Sequence, residues 1–300
     1  MKFVTAERNG APFVGVVTKE ECVIDLRLAE QAMKKVITLP KTLVECIALG
    51  ETFVENVREL LIWVEEHPSS QYVYPLVDVR LLAPIPRPTK NIFCVGKNYV
   101  DHALELGSAT DIPKHVMLFS KTPTTVVGHE ATVLRHREVT NELDYEGELA
   151  VVIGKKGKAI PEQEALEYVF GYTIINDITA RDLQERHKQF LLGKSLDTSC
   201  PMGPWIVHQS LIPNPNRLHI ETKINGETRQ KANTEQFIFP VETIIATISR
   251  GMTLEPGDII ATGTPAGVGK GMKPPRFLDT GDVIEITIEG VGTLRNCIGE

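Results

Sequence analysis

The alternation of apolar and polar positions predicts short strands at the start of the chain and a helix after them. Residues 2–7, 12–18 and 22–26 are rich in apolar and β-branched side chains, and Asn9-Gly10 lies between the first two runs. Such runs are typical of strands, and this dipeptide favours a two-residue hairpin turn. After Gly50 the apolar residues recur at helical spacing, which predicts a helix with one apolar face formed by Phe53, Val54, Val57, Leu60, Leu61 and Val64. We expect this face to pack on the body of the protein.

A proline-rich segment, Ala83-Pro84-Ile85-Pro86-Arg87-Pro88, separates this region from the rest of the chain. Because proline fixes φ, the segment is a stiff, extended connector. We therefore predict a small N-terminal α+β domain over residues 1–82 and a larger second domain over residues 83–300. The larger domain is β-rich, with predicted strands at 91–95, 149–153, 172–175, 219–224, 258–262 and 283–288. These strands do not alternate with helices, which predicts an α+β fold with a mixed sheet rolled into a barrel-like body.

The composition disfavours several classes of protein but identifies no further candidate functional site. The 300-residue chain is 42% hydrophobic and has a net charge of −7 with dispersed basic residues, so a nucleic-acid partner is not expected. An early charged N-terminus and the lack of a long apolar run predict a cytosolic protein without membrane insertion. The cysteines are odd in number, widely spaced and never in a C-x-x-C pair, which disfavours a disulfide framework or a zinc knuckle: Cys22, Cys46, Cys94, Cys200 and Cys297.

Three carboxylates form the most informative pattern in the chain. Glu146 and Glu148 are two positions apart at an apolar strand, so their side chains project from the same face. Asp177 follows the next buried strand, before a helix entry at 179–182 whose spacing resembles a capping box. A set of carboxylates without Cys or His suits Mg²⁺ or Mn²⁺ better than Zn²⁺. The same spacing is equally compatible with a solvated strand face and a helix cap.

A histidine and a glutamate provide a candidate general base. His102 and Glu105 lie three positions apart in a predicted helix, so the carboxylate can orient the imidazole and stabilise its charged form. Such a pair can activate water. Taken alone, the spacing also fits an ordinary surface pair.

Other polar residues follow the carboxylates along the chain. Arg181 and Gln184 are three positions apart, so a helix would direct a guanidinium and an amide towards a carboxylate-bearing ligand. Lys194 lies in an apolar setting that suits a lysine facing the site, although a surface position fits it as well. Residues 261–271 are rich in glycine, but Thr264 and Gly271 break the phosphate-loop pattern. We expect the backbone N–H groups of this turn and the Thr264 hydroxyl to lie near a small anion.

From about Arg80 to the C-terminus, six stretches in this order resemble the fumarylacetoacetate hydrolase family. They are Leu-Leu-Ala-Pro-Ile-Pro-Arg-Pro (81–88), Gly-Lys-Asn-Tyr-Val-Asp-His (96–102), Asp-Tyr-Glu-Gly-Glu-Leu (144–149), Asn-Asp-Ile-Thr-Ala-Arg-Asp-Leu-Gln (176–184), Gly-Lys-Ser-Leu-Asp-Thr (193–198) and Gly-Thr-Pro-Ala-Gly-Val-Gly (263–269). The resemblance implies a catalytic domain of rolled, mixed β structure, a homodimer, and Mg²⁺ or Mn²⁺ held by Glu146, Glu148 and Asp177.

The resemblance also implies roles for the remaining candidates. His102 and Glu105 would activate water, and Lys194 would be a catalytic or anion-stabilising cation. The ligand contacts would come from Arg181, Gln184 and Thr264, and the segment after His102 would act as a lid. Fumarylacetoacetate hydrolases proper carry a further acidic metal ligand in the segment that is Gly96-Lys97-Asn98-Tyr99 here. Its absence resembles the branch that acts on small 2-oxo acids.

The function expected from this branch is metal-dependent cleavage of the C3–C4 bond of a small 2-oxo acid. The metal would stabilise the pyruvate enolate that forms. Oxaloacetate decarboxylation is the favoured reaction, and acylpyruvate hydrolysis at the same site would need water activated by His102 and Glu105. Two alternatives are a decarboxylase or isomerase of an aromatic-degradation intermediate, and a binding or scaffold protein that keeps the fold.

Overall fold

The computed structural model describes residues 1–300 and contains seven α-helices and nineteen strands. The helices are α1 Leu26–Lys34, α2 Leu43–Ile47, α3 Glu51–Glu66, α4 Val100–Glu105, α5 Arg181–His187, α6 Leu191–Lys194 and α7 Val241–Ser249. The strands are β1 Lys2–Arg8, β2 Ala11–Val17, β3 Cys22–Asp25, β4 Val73–Pro75, β5 Arg80–Leu81, β6 Ile92–Gly96, β7 Met117–Lys121, β8 Val126–Val127, β9 Thr132–Leu134, β10 Leu143–Asp144, β11 Gly147–Ile153, β12 Val169–Asn176, β13 Thr179–Ala180, β14 Cys200–His208, β15 His219–Ile224, β16 Glu227–Asn233, β17 Ile259–Ala261, β18 Val283–Ile288 and β19 Gly292–Gly299.

The first strands form the predicted hairpin and continue into the rest of the molecule. Asn9 and Gly10 both have positive φ, 52° and 76°, as a tight turn between β1 and β2 requires. The other edge of β1 pairs antiparallel with β14, with Lys2 opposite Val207. The N-terminal strands therefore belong to the same sheet as strands of the larger predicted domain. The boundary at residue 82 stays a prediction.

The strands form a large mixed sheet and a smaller one. The order in the large sheet is β4-β3-β2-β1-β14-β12-β11-β17-β6-β7, with β5 beside β1 and β8 beside β14. A five-stranded sheet has the order β16-β15-β18-β19-β9, and a short pair joins β10 and β13. Parallel pairs such as β17 with β6 occur among antiparallel ones. The α+β class and the mixed sheet are as predicted, but the large sheet does not close on itself and the barrel-like body is not confirmed.

Helix α3 packs on the large sheet with the face that its periodicity predicts. It begins after Gly50, whose φ of 62° suits glycine. The ring of Phe53 packs at a tilt against Phe3 of β1, with ring centroids 5.1 Å apart, and the centroid of Phe3 lies 5.2 Å from that of Phe170 of β12. Leu61 is only partly buried, while the rest of the predicted face is buried: Phe53, Val54, Val57, Leu60 and Val64. Burial of such side chains stabilises the fold by about 1.5–3 kcal/mol each.

Two further features concern membrane spans and the cysteines. No helix combines the length and the apolar character that a transmembrane span needs. All five cysteines are free thiols. Burial raises the pKa of Cys46 and of Cys200 to about 12, so neither forms a thiolate readily.

Candidate active site

The two central strands bring the three predicted carboxylates together. β11 pairs antiparallel with β12, and Gly147 lies opposite Asn176. Glu146 immediately precedes β11 and Asp177 immediately follows β12, so the register places these two residues side by side. The Asp177 N–H donates to the Glu146 carbonyl at 2.8 Å. The long-range pairing of two apolar strands thus places two acidic residues at one end of the sheet.

The carboxylates form one buried cluster. One oxygen from each of Glu146, Glu148 and Asp177 lies within 4.8 Å of the others. The residues are 5%, 1% and 0% exposed, so the alternative of a solvated strand face is wrong. Three carboxylates that are this close and shielded from solvent repel each other, so the cluster needs positive charge nearby.

Two buried lysines provide part of that positive charge. The Lys194 ammonium donates to Glu146 Oε2 at 2.6 Å and to Asp177 Oδ2 at 2.7 Å. Lys121 Nζ lies 2.9 Å from Asp177 Oδ1 and donates to the Ile178 carbonyl at 2.9 Å and to the Lys194 carbonyl. Lys194 therefore faces the site as the apolar setting of its segment suggested, and Lys121 connects the ends of β7, β12 and α6.

Arg181 supports the cluster from the other side. Its Nε donates to Asp144 Oδ2 at 2.9 Å, and its Nη1 lies 2.7 Å from Glu146 Oε1. Nη1 also donates to Gln184 Oε1 at 3.3 Å, and Nη2 has no partner. The guanidinium is thus held mainly by protein carboxylates, and only Nη2 is free for the ligand contact that the resemblance implies.

The pKa values reflect an uneven distribution of charge. Burial raises the pKa of Glu146, but Lys194 and Arg181 outweigh it and leave that pKa well below its ordinary value. Burial and the neighbouring Asp177 and Glu146 carboxylates raise the pKa of Glu148 well above its ordinary value. Burial opposes the charge of Lys194, yet Asp177 and Glu146 raise its pKa. Glu148 is therefore the acid whose negative charge is least compensated.

The cluster fits a divalent cation with oxygen ligands. Although Lys121 lies beside Asp177 Oδ1, the geometry is not that of a hydrogen bond, and this buried oxygen has no donor. Glu148 Oε2 accepts only the Gly263 N–H, at 2.7 Å. Donor atoms that are all carboxylate oxygens suit Mg²⁺ or Mn²⁺. Glu146, Glu148 and Asp177 could hold such an ion, which would supply the positive charge that Glu148 lacks.

Backbone N–H groups of the glycine-rich turn bind carboxylates of the protein itself. This corrects the prediction that they lie near a small bound anion. Gly267 N–H donates to Glu105 Oε1 at 2.9 Å. Gly269 N–H donates to Asp144 Oδ1 at 2.7 Å, and Lys270 N–H to Asp144 Oδ2 at 3.0 Å. A Cβ on Gly267 would lie 1.9 Å from the Arg229 carbonyl oxygen. These N–H groups bind side chains of the protein itself and are not free for a phosphate or similar ion.

Thr264, in the same turn, is also occupied by protein groups. Its hydroxyl donates to the Gly147 carbonyl at 2.9 Å and accepts from Gln230 Nε2 at 2.7 Å. The residue still lines the cavity described below. The ligand contact implied for Thr264 would thus need its main chain or a rearranged hydroxyl.

His102 and Glu105 meet in α4 as predicted from their spacing. His102 Nδ1 lies 3.4 Å from Glu105 Oε2, which is long for a hydrogen bond. The other Glu105 oxygen accepts the Gly267 N–H, so the carboxylate is fixed from both sides. His102 is buried and lines the cavity. Catalytic hydrogen bonds are often long before substrate binds, so this geometry suits a base.

The start of α5 differs from the predicted capping box. The helix begins at Arg181 after Ala180, which has no side-chain cap. Thr179 belongs to β13 instead and its hydroxyl donates to the Asp177 carbonyl at 2.9 Å. Asp182 accepts from the Thr140 hydroxyl at 2.6 Å. Thr179 and Asp182 therefore bind other residues near the site and do not cap α5.

The cluster opens into a cavity of about 310 Å³. Its walls include all the predicted site residues except Glu105 and Asp177, which lie just behind them. Leu106, Met117, Phe119 and Phe190 make part of the wall apolar. Positive side chains complete it: Lys97, Arg181, Lys188, Lys194 and Lys270. A small, anionic organic molecule matches this size and charge.

Two functional candidates were missed from the sequence. Asp144 continues the i, i+2 series of Glu146 and Glu148, so the same spacing argument could have found it. Lys121 ends the apolar strand β7 and is fully buried. A lysine that closes an apolar run is a weak signal, because most such lysines reach solvent.

Comparisons with known proteins show which family the chain belongs to. The model of the fumarylacetoacetate (FAA) hydrolase C-terminal domain matches residues 91–299. Oxaloacetate tautomerase YisK of Bacillus subtilis is 56% identical, over 100% of both chains. A fumarylacetoacetate hydrolase from Exiguobacterium antarcticum has a similar structure, with a TM-score of 0.81, 43% identity and coverage of 100% of this chain and 99% of that one.

A more distant structure is a complex with a metal ion and pyruvate. Maleylpyruvate hydrolase from Sphingobium sp. SYK-6, in complex with manganese(II) and pyruvate, has a TM-score of 0.75 and 28% identity, with coverage of 100% of both chains. The family model covers most of the chain, and the relatives match it from end to end. The chain belongs to the fumarylacetoacetate hydrolase family.

Proposed function

We propose that this protein is a divalent-metal-dependent enzyme that interconverts the enol and keto forms of oxaloacetate. The observation that carries the proposal is the buried cluster of Glu146, Glu148 and Asp177, which opens into a small, cationic cavity. A relative that is 56% identical over its full length is named an oxaloacetate tautomerase. Oxaloacetate is a small dianion, which matches the size and charge of the cavity.

A bound metal ion and the buried cations of the site would together stabilise the negative charge of the substrate. Glu146, Glu148 and Asp177 would hold the Mg²⁺ or Mn²⁺ ion, which would supply a Lewis acid that lowers the energy of the enolate. Lys194 and Arg181 are buried beside the same carboxylates, so their charges act in a region of low dielectric. The Arg181 Nη2 atom, which has no protein partner, is available to the substrate carboxylate.

His102 is the proposed carrier of the proton at C3. Its Nδ1 faces Glu105, which leaves Nε2 to take the proton from C3 or to return it. Glu105 fixes the orientation of the ring because its own carboxylate is held by Gly267. The deprotonated base and the stabilised enolate together allow exchange between the two forms of the substrate.

Cleavage of the C3–C4 bond is the second candidate. A family member with this fold is described in complex with manganese(II) and pyruvate, the product expected from such cleavage. Loss of CO₂ from oxaloacetate breaks the C3–C4 bond, leaves the enolate of pyruvate in place of that of oxaloacetate, and needs no water, whereas an acylpyruvate would need water activated by His102 and Glu105. Oxaloacetate decarboxylation, acylpyruvate hydrolysis and tautomerisation therefore all require a bound 2-oxo acid and a stabilised enolate.

One set of assays separates these reactions. Enol-oxaloacetate added from an aprotic solvent would be followed by its ultraviolet absorbance, and pyruvate from oxaloacetate or acetylpyruvate by a coupled assay. Rates with Mg²⁺ or Mn²⁺ alone are subtracted. We expect enzyme-dependent loss of the enol to be the fastest reaction. Faster formation of pyruvate would replace tautomerisation by decarboxylation or hydrolysis as the main activity.

The variant His102→Ala tests the proton carrier. We expect it to lose tautomerisation and acetylpyruvate hydrolysis while any decarboxylation persists, since loss of CO₂ needs no base. Equal loss of all three activities would contradict this division. No activity on any of these substrates would favour the longer aromatic-degradation intermediates, and after them the scaffold alternative. The proposed homodimer is tested separately by light scattering on the purified protein.

A further inference from the structure

We propose that Lys97 selects 2-oxo acids with a second carboxylate by binding that carboxylate at the far end of the substrate. The inference rests on the proposed function, because it assigns the part of the cavity that the metal does not bind. Lys97 lines the same cavity as His102, Glu148 and Lys194. Its ion-pair partner is Asp111, and none of the three clustered carboxylates. Its charge is therefore available to a ligand.

The backbone of Lys97 is held in a conformation that a lysine rarely adopts. Its φ is +53°, in the left-handed region. Strained residues of this kind persist where the surroundings hold them, and they concentrate at functional sites. The next residue, Asn98, is fully buried and holds the turn: its Nδ2 donates to the Thr262 carbonyl at 2.8 Å, and its Oδ1 accepts the Phe239 N–H at 2.8 Å.

The residue before Lys97 lies close to Met117 of β7. A Cβ on Gly96 would lie 2.3 Å from Met117 Cε, the flexible end of that side chain, which would have to shift. The turn at 96–98 is therefore held mainly by Asn98, with Lys97 beside it. A backbone held in this way starts the lysine side chain from a defined point of the cavity wall.

The other cations of the cavity are already occupied, already assigned or remote. Lys194 is held by Glu146 and Asp177, as described above. Arg181 is held by Asp144 and Glu146, and its free Nη2 atom is assigned to the carboxylate at the metal end of the substrate. Lys270 forms an ion pair with Glu185. Lys188 is exposed beyond the end of α5. Lys97 differs from these lysines because it is fixed in the wall and only loosely paired.

The contact between Lys97 and Asp111 is weak. Lys97 Nζ lies 3.4 Å from Asp111 Oδ1, and the lysine side chain is 29% exposed. The other oxygen of Asp111 accepts from Ser108 N–H and from the Ser108 hydroxyl, both at 2.9 Å. Asp111 is therefore satisfied within its own turn, and Lys97 can bind a substrate carboxylate without leaving a buried acid unpaired.

The apolar part of the cavity wall explains why Lys97 should affect the binding of some substrates more than others. Met117 and Phe119 offer apolar contacts that suit the acyl end of a monocarboxylic 2-oxo acid. A second carboxylate placed against these apolar side chains would lose its bound water, and this loss is unfavourable unless a cation lies nearby. Lys97 provides that cation, which favours oxaloacetate over acetylpyruvate.

The test compares these two substrates in the Mn²⁺-loaded full chain. In Lys97→Met we expect KM for oxaloacetate to rise about tenfold or more, and kcat/KM for acetylpyruvate to stay within about twofold. The matched control is Lys19→Met, which removes an exposed lysine outside the cavity and should leave both substrates unchanged. An equal loss for both substrates in Lys97→Met, or a selective loss in Lys19→Met, would overturn the proposal.

A binding measurement keeps the inference separate from the proposed reaction. Malate and lactate differ in the second carboxylate and have no 2-oxo group, so calorimetry can follow them without turnover. Tighter binding of malate than lactate, lost in Lys97→Met, would support the role of Lys97 even if neither 2-oxo acid reacts. Unchanged malate affinity in that variant would refute it.

Discussion

Two regions of this protein are equally buried but built from opposite chemistry. Beneath α3, Phe53, Phe3 and Phe170 pack together as a cluster of apolar rings. At the ends of β11 and β12, four carboxylates and three cations are enclosed: Asp144, Glu146, Glu148 and Asp177 with Lys121, Arg181 and Lys194. The first region gains free energy from each buried side chain. The second must recover the cost of removing charges from water.

The difference shows which region serves stability and which serves chemistry. A purely structural interior of the same volume would not need seven charged groups, because apolar residues fill such space at lower cost. Here the charges are arranged so that Glu148 is left without a cation of its own. Loss of a metal ligand should therefore reduce activity without reducing stability, whereas loss of a buried apolar side chain should reduce stability.

The largest effect is expected from Glu148→Gln. Loss of a metal ligand should reduce turnover about a thousandfold, since the ion supplies several kcal/mol of transition-state stabilisation. The metal-free variant should unfold at the same temperature as wild type or above it, because the amide carries no charge to be repelled by Asp177 and Glu146. Calorimetry and the enol assay measure both effects. A variant that unfolds earlier and keeps its turnover would reverse the assignment of this residue.

The opposite pattern is expected from Phe53→Ala. Removing this buried ring should lower the free energy of unfolding by about 4 kcal/mol, while the folded fraction keeps its turnover. Denaturant titration measures the loss. Ile62→Ala, on the exposed face of the same helix, is the control and should change stability by about 0.5 kcal/mol or less. Similar losses in the two variants would show that α3 is not anchored through its apolar face.

Lys121→Met tests whether the charged region depends on its balance. Its removal leaves Asp177 buried with one cation fewer, which should lower the free energy of unfolding by about 3 kcal/mol in metal-free protein. Saturating Mn²⁺ should restore part of this loss, because the ion compensates the same carboxylate. Lys19→Met, at an exposed position, serves as the control. Full stability without metal would mean that Lys121 contributes no needed charge.

A smaller effect is expected at the edge of the apolar region. Asp25 caps α1 by accepting from the N–H groups of Arg27 and Leu28, both at 3.0 Å. Asp25→Ala should cost about 1 kcal/mol of unfolding free energy, and Asp25→Asn much less, since an amide oxygen can also cap. Equal losses in the two variants would indicate that the charge of Asp25, and not its cap, stabilises the helix.

The sequence predicted the apolar region better than the charged one. The helical period from Phe53 to Val64 and the Asn9-Gly10 turn depend on neighbouring residues, so they are visible in the chain itself. The spacing of Glu146 and Glu148 is local in the same way. The pairing of β1 with β14 is not, because it joins residues far apart and involves a strand that the pattern did not predict.

The contacts that complete the site are also long-range. Lys121 reaches Asp177 across 56 positions of the chain, and Glu105 at the end of α4 meets Gly267 across 162 positions. Arg181 was expected to face a ligand, but Asp144 and Glu146 hold two of its nitrogens. Side chains that pair with each other inside a site look the same in sequence as side chains that await a substrate. Only their three-dimensional partners distinguish the two.

The central claim is that Glu146, Glu148 and Asp177 bind one divalent cation. Electron paramagnetic resonance of Mn²⁺ titrated into the purified protein tests it most directly, with Glu148→Gln measured in parallel. The account predicts one bound ion per chain in wild type, displaced by Mg²⁺, and at least a tenfold weaker affinity in the variant. No bound ion in wild type, or equal affinity in the two proteins, would contradict it.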